Sequence, residues 1–146
     1  MAHFVTLTLH LFAAILFVGT VFFEVLILDS VRRPVGREAM RAVEAAVGRR
    51  ARQVMPFVLL VLYGAGIAMA WGYRDQLARP LASPFATLLS LKILLALSVL
   101  GHFLFAVIRG ARGTLRARQV RFVHVSVFCH MLLIVFLAKA MFFVTW

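Results

Sequence analysis

Acidic residues are scarce, with five Asp and Glu against sixteen Lys and Arg in 146 residues. Charged residues of both signs make up only 14% of the chain, too few to clothe an ordinary water-soluble globule. Apolar residues make up 64%, which excludes intrinsic disorder. A single cysteine, Cys129, excludes an intrachain disulfide, and the lack of any Cys-x-x-Cys excludes zinc knuckles and cysteine-ligated iron–sulfur clusters. Any metal must therefore rest mainly on histidine. Paired carboxylates, a nucleophile elbow and a glycine-rich phosphate loop are also missing, so hydrolase and kinase chemistry have no footing. A net charge of +11 invites a nucleic-acid reading, but a mean hydropathy of +1.00 shows that the basic residues punctuate hydrophobic segments. No nucleic-acid partner is expected.

Four long apolar stretches fill most of the chain, at about 4–28, 54–73, 85–108 and 122–145. Each is near the ~20 residues that a membrane-spanning helix requires. The expected fold is all-α, a polytopic four-transmembrane-helix bundle forming one domain over 1–146, with membrane lipid as its first partner. The first run has no basic segment before it and is too long for a signal-peptide core, so it reads as a retained helix. Arginines set the orientation. The first loop carries Arg32, Arg33, Arg37, Arg41, Arg49, Arg50 and Arg52, and the third carries Arg109, Arg112, Arg116, Arg118 and Arg121. The second has Arg74 and Arg79, offset by Asp75, and is broken by Pro80 and Pro84. The positive-inside bias places the first and third loops in the cytoplasm and both termini on the periplasmic side. Within the first loop, 36–52 keeps Met40, Val43 and Val47 on one helical face among arginines, which predicts a short helix lying on anionic lipid. The plainer account is that these arginines only fix topology.

His10, Glu24, Lys92, His102, His124, His130 and Lys139 fall inside the spans, where each costs on the order of 2 to 3 kcal/mol or more unless paired or ligated. At ~1.5 Å rise per residue, His10 lies ~9 Å, Lys92 ~10 Å and Lys139 ~9 Å below the outer surface. His102 lies ~9 Å and His130 ~12 Å from the cytoplasmic surface, with His124 and Glu24 nearer to it. Two polar layers result. His3, His10 and Glu24 are spaced by multiples of seven and share one stripe of the first helix, predicted to face inward. Ala13, Ala14, Gly19, Gly64, Gly66 and Ala70 would allow close helix approach or leave room for a flat cofactor.

Several imidazoles in an apolar bundle suit a b-type heme, whose iron takes axial histidine nitrogens and whose ring needs a dry slot that the 14 phenylalanines can line. His102 and His130 stand at matching depth and are expected to grip one iron from both sides, with His124 as the substitute if the helix boundary shifts. At the outer layer His10 is the only deep histidine, so a heme there takes a non-histidine sixth ligand such as Met69, or an open position. Lys92 and Lys139 either pair with heme propionates or snorkel to the headgroups. The structural alternative for each histidine is a side chain hydrogen-bonded to a backbone carbonyl, to Ser98 or to Ser126. Cys129 reads as a small apolar filler, and Trp71, Tyr73 and Trp146 as interfacial belt residues.

The stretch Leu9-His10-Leu11-Phe12-Ala13-Ala14-Ile15-Leu16-Phe17-Val18-Gly19, followed by Phe22-Phe23-Glu24, resembles the first helix of the copper-resistance D (CopD) family of small bacterial inner-membrane proteins. Ser90-Leu91-Lys92-Ile93-Leu94-Leu95, continuing to His102, resembles the third helix of the related four-helix, heme-containing protoporphyrinogen oxidases of the HemJ type, as does Lys139. Gly101 stands where that pattern has a tyrosine. The resemblance implies a bacterial inner-membrane bundle that binds b-type heme or is linked to copper, with His10, Lys92 and His102 as the functional positions. The function expected from depth pattern and resemblance together is a membrane b-type cytochrome. It would hold one or two hemes on His10, His102, His130 and in alternative His124, and pass electrons between the quinone pool and a periplasmic-side acceptor. One alternative is copper transport or resistance, with His3 and His10 at the outer side and Met69 and Met141 as soft ligands. Others are a heme-dependent oxidase acting on a porphyrinogen, and a structural subunit associated with other membrane or respiratory subunits.

Overall fold

The computed structural model describes residues 1–144, and all regular structure among them is helical. Four helices are long and apolar enough to cross a membrane: α1 (Ala2–Val31), α2 (Arg37–Trp71), α3 (Pro84–Ala111) and α4 (Ala117–Ala140). The all-α, multi-pass architecture expected from composition is therefore present. Thr145, the expected end of the fourth span, and Trp146 lie outside the described residues.

The chain divides into two compact units, Met1–Gly72 and Tyr73 onward, each a helical hairpin. In the first, α1 packs on α2 through Ala13, Phe17 and Val21, spaced one turn apart, and through Val58, Leu59 and Ala65. In the second, the buried residues are Ala86, Leu89 and Val99 on α3, Val123, Val127, Met131 and Leu137 on α4, and Met141 just beyond its end. Apolar side chains elsewhere on these helices point outward: Leu60 is 73% exposed and Phe57 70%. Surfaces of this kind are unsustainable in water and ordinary in a hydrocarbon surrounding.

Two boundaries differ from the sequence expectation. The separate amphipathic helix over 36–52 and the span starting at 54 are one helix, α2, of 35 residues. At ~1.5 Å per residue it is ~52 Å long, well beyond a ~30 Å hydrocarbon core. Alanine, arginine and glutamate, all good helix formers, carry it through the loop region, and Pro56 is accommodated inside it. Met40 is buried while Val43 is 44% exposed, so only part of the expected apolar face is covered. The start of α2 is tied to the end of α1 by Arg32, whose guanidinium meets Asp29 at 3.3 Å and Glu44 at 2.7 Å. The second difference is that α1 widens into a π-helix over Phe23–Leu28. This interrupts the regular spacing between His10 and Glu24. His3 is exposed and His10 and Glu24 are half-buried, so the expected inward stripe does not run the length of the helix.

Pro80 and Pro84 do end one hairpin's approach and begin the next helix. Pro84 occupies the first turn of α3, where its missing N–H costs nothing, and the Ser83 hydroxyl caps the turn by accepting from the Ala86 N–H at 3.2 Å. Thr87 Oγ1 donates back to the Pro80 and Ser83 carbonyls at 2.8 and 3.0 Å, which closes the loop onto the helix. Ser83→Ala is expected to destabilise the second hairpin by about 1 kcal/mol, read as a lower thermal unfolding midpoint in detergent, while Ser83→Asp retains the cap.

Candidate functional site

In the second hairpin, antiparallel packing of α3 on α4 brings His102 and His130 together, with ring centroids 5.5 Å apart and planes tilted by 55°. Each histidine is followed back one turn by a serine on its own helix, Ser98 before His102 and Ser126 before His130. The four residues bond reciprocally. His102 Nδ1 meets the Ser98 carbonyl at 2.7 Å, and His130 Nδ1 meets the Ser126 carbonyl at 2.7 Å. A carbonyl can only accept, so both rings carry a proton on Nδ1. In the neutral ring Nε2 is then the lone-pair atom. The Ser126 hydroxyl reaches His102 Nε2 at 3.1 Å and the Ser98 hydroxyl reaches His130 Nε2 at 3.2 Å, each across the hairpin. The quartet has a local two-fold pattern, as an antiparallel pair carrying Ser-x-x-x-His on both helices must.

His10, in the first hairpin, follows the same rule. Its Nδ1 donates to the Leu62 carbonyl of α2 at 2.9 Å. The ring reaches that carbonyl because Gly66 lies beneath it: a Cβ there would stand 3.3 Å from His10 Cε1. All three of these deep histidines, on three different helices, thus have Nδ1 fixed by a main-chain carbonyl.

Beside His102 the hairpin carries a shallow, open groove of about 490 Å³. Gly101, Phe105, Phe122 and Val123 form its apolar walls, and Arg118 and Gln119 stand at its loop end. Gly101 keeps it open, since no atom lies within 4 Å of where a side chain would begin. Phe105 is backed by the Arg109 guanidinium, 5.3 Å from the ring centre, and the Phe122 ring stands 6.5 Å from that of His102. Gln119 is held by accepting from the Arg116 N–H at 3.0 Å. At His130 the corresponding small position is Cys129, which is exposed on the helix surface and fills no core gap.

The remaining sequence candidates fall elsewhere. His124 is half-buried on α4 and is not part of the quartet. Lys92 is half-buried and Lys139 exposed, and both lie between the quartet and the Phe85–Phe142 contact (5.8 Å) that closes the other end of the hairpin. Tyr73 packs on Phe85 at 5.2 Å, whereas Trp71 is 70% exposed. Met141, a soft ligand in the copper alternative, is buried in the hairpin core. Among the described residues no group of three or more His, Cys, Asp or Glu is placed to hold a metal ion.

The matched depth of His102 and His130 brings them into contact, but not as a clamp. Gripping one heme iron from both sides requires both Nε2 atoms aimed at a common point through a gap that the macrocycle fills. Here the rings lie against each other and each Nε2 aims at the hydroxyl of the opposite helix. The partners present are those of the structural alternative, a backbone carbonyl and a serine. Depth along the helices did not reveal the doubled Ser-x-x-x-His motif, although its two copies stand 28 residues apart in plain view. Of the other groove residues the sequence marks only Gly101, as standing where the resembled pattern has a tyrosine, and Arg118, as one of the loop arginines.

Comparison with family models, with curated proteins and with solved structures finds no match for the chain.

The two glycines of α2 provide a matched test of the His10 seat. Gly66→Ala places a Cβ 3.3 Å from His10 Cε1, so the imidazole must give by a few tenths of an ångström, and the variant is expected to be less stable than Gly64→Ala by up to about 1 kcal/mol. Gly64→Ala has open space around its Cβ and is expected to be neutral or to stabilise by up to about 1 kcal/mol. Thermal unfolding of the two variants in the same detergent separates these outcomes.

Proposed function

We propose that the chain is a b-type cytochrome of the bacterial inner membrane, passing single electrons between the quinone pool and an acceptor on the periplasmic side. In this proposal the arginine-rich loops face the cytoplasm and both termini the periplasm, as the positive-inside bias indicates. The observation that carries the proposal is His102: a half-buried imidazole with Nδ1 held by a carbonyl, bordering an apolar groove with aromatic walls and a guanidinium at its end. Nδ1 anchoring is what orients a ligating histidine, and in His102 it leaves Nε2 as the lone-pair atom, directed at the Ser126 hydroxyl of α4. The resemblance of the first and third helices to CopD and HemJ-type proteins points the same way.

One imidazole, two aromatic walls and a guanidinium are a residue set of the kind that holds a heme. His102 would supply a ligand nitrogen, Phe105 and Phe122 apolar walls, and Arg118 a positive partner for its carboxylates. When bound, heme supplies the one-electron iron chemistry, while the protein residues hold it, exclude water and balance its carboxylates. His130 does not face the groove and serves as a neighbour that packs against His102. His10 belongs to the other hairpin and is the candidate for a separate outer-layer heme.

A visible spectrum of the purified, dithionite-reduced protein tests the proposal, with a sharp reduced b-type band and a pyridine hemochrome as the expected result. His102→Ala is expected to abolish the band assigned to the groove, and Gly101→Leu to lower heme content at least several-fold by filling the groove. His130→Ala is expected to leave most of that band in place. A colourless protein refutes the proposal, and stoichiometric copper without iron replaces it with the copper-handling alternative.

A further inference from the structure

Hydroxyl groups on these helices have a default partner. Thr6, Thr8 and Thr20 of α1 each donate to the carbonyl four residues back, at 2.9, 2.8 and 2.8 Å. Ser98 and Ser126 instead reach across the hairpin to an imidazole nitrogen. A serine in a helix has both options, since the carbonyl one turn back can accept a second hydrogen bond. Each hydroxyl of the quartet can therefore exchange one neutral acceptor for another of similar strength by a rotation about χ1.

From this we infer that Ser126 is a lock on His102, and that its hydroxyl must turn away before any ligand takes the Nε2 lone pair. Ser98 stands in the same relation to His130. The inference rests on the assignment of His102 as a ligand, and it names the residue that sets how tightly the site takes one. The lock is weak by construction. A net hydrogen bond between neutral groups shifts an equilibrium by about two- to tenfold, and part of that is recovered when the hydroxyl finds its own helix carbonyl. A polar partner is nonetheless needed, because a bare imidazole nitrogen in an apolar surrounding is costly. The lock thus keeps the ligand-free hairpin satisfied without sealing it.

The geometry also rules out a competing role. A proton wire through the quartet would need each ring to pass a proton between its two nitrogens. Both Nδ1 atoms are bound to main-chain carbonyls, which cannot hand on a proton, so the chain of hydrogen bonds ends at each ring.

Alanine at either serine keeps the main-chain carbonyl and hence both Nδ1 anchors, so each variant removes only the hydroxyl. In hemin titrations of the full chain in detergent, Ser126→Ala is expected to bind about two- to tenfold more tightly than the unsubstituted protein. Ser126→Thr is expected to restore the original affinity, and Ser98→Ala to leave it unchanged. In the hemin-free protein, ¹⁵N spectra of labelled histidine are expected to show the His102 Nε2 resonance shifted by Ser126→Ala and the His130 Nε2 resonance shifted by Ser98→Ala. If Ser126→Ala binds hemin no more tightly, or if either substitution shifts both histidines alike, the lock is overturned. If the unsubstituted chain takes no hemin, the heme assignment falls while the lock is judged on the spectra alone, where an unmoved His102 Nε2 overturns it.

Discussion

A hydrocarbon surrounding supplies no hydrogen bonds, and the internal geometry of this protein follows from that constraint. The four long helices satisfy their own backbones, but an imidazole brings two more nitrogens that need partners. At His102 and His130 all four nitrogens are satisfied by two carbonyls and two hydroxyls from the same two helices. At His10 the partner for Nδ1 comes from the neighbouring helix, which is why a glycine rather than a larger residue lies under the ring. Polar satisfaction here also works as helix pairing, because each of these bonds except the two to a residue's own helix crosses a hairpin.

The same arrangement that satisfies a histidine also fixes its tautomer and orientation. Fixing Nδ1 on a carbonyl leaves only one nitrogen able to act as a ligand and holds the ring in one orientation. Histidines in structural roles and histidines that bind metals therefore look alike at Nδ1, and differ in what faces Nε2. Both Nε2 atoms face a serine of the opposite helix, and His102 in addition borders the groove, whose lining does not include His130. The difference between two nearly symmetric positions comes from their surroundings: Gly101 against Cys129, and Arg118 at the end of the groove.

The two hairpins treat their arginines differently. At the turn between α1 and α2, Arg32 is shared between Asp29 and Glu44, and Glu38 stands in the first turn of α2. Between α3 and α4, five arginines from Arg109 to Arg121 have no acidic residue among them. The first arrangement ties two helices together. The second places a guanidinium, that of Arg118, at the end of the groove.

Residue composition determined the all-α, membrane-spanning character of this chain, since 64% apolar residues in four runs of about twenty can be buried only as helices in lipid. Rise per residue was enough to place His102 and His130 at one level, because an antiparallel hairpin conserves depth. The sequence pattern showed a helix over 36–52 and an apolar span from 54 but not that the two are one helix, because the change from charge-rich to apolar composition reads as a boundary. Nor did it show which nitrogen of each histidine is engaged, that the two rings touch instead of flanking a gap, or that Gly101, Phe105, Phe122 and Arg118 share one groove. Those features depend on how two helices rotate about their axes as they pack. Rotation is set by interlocking side chains from both helices, and no single helix carries it in its own periodicity.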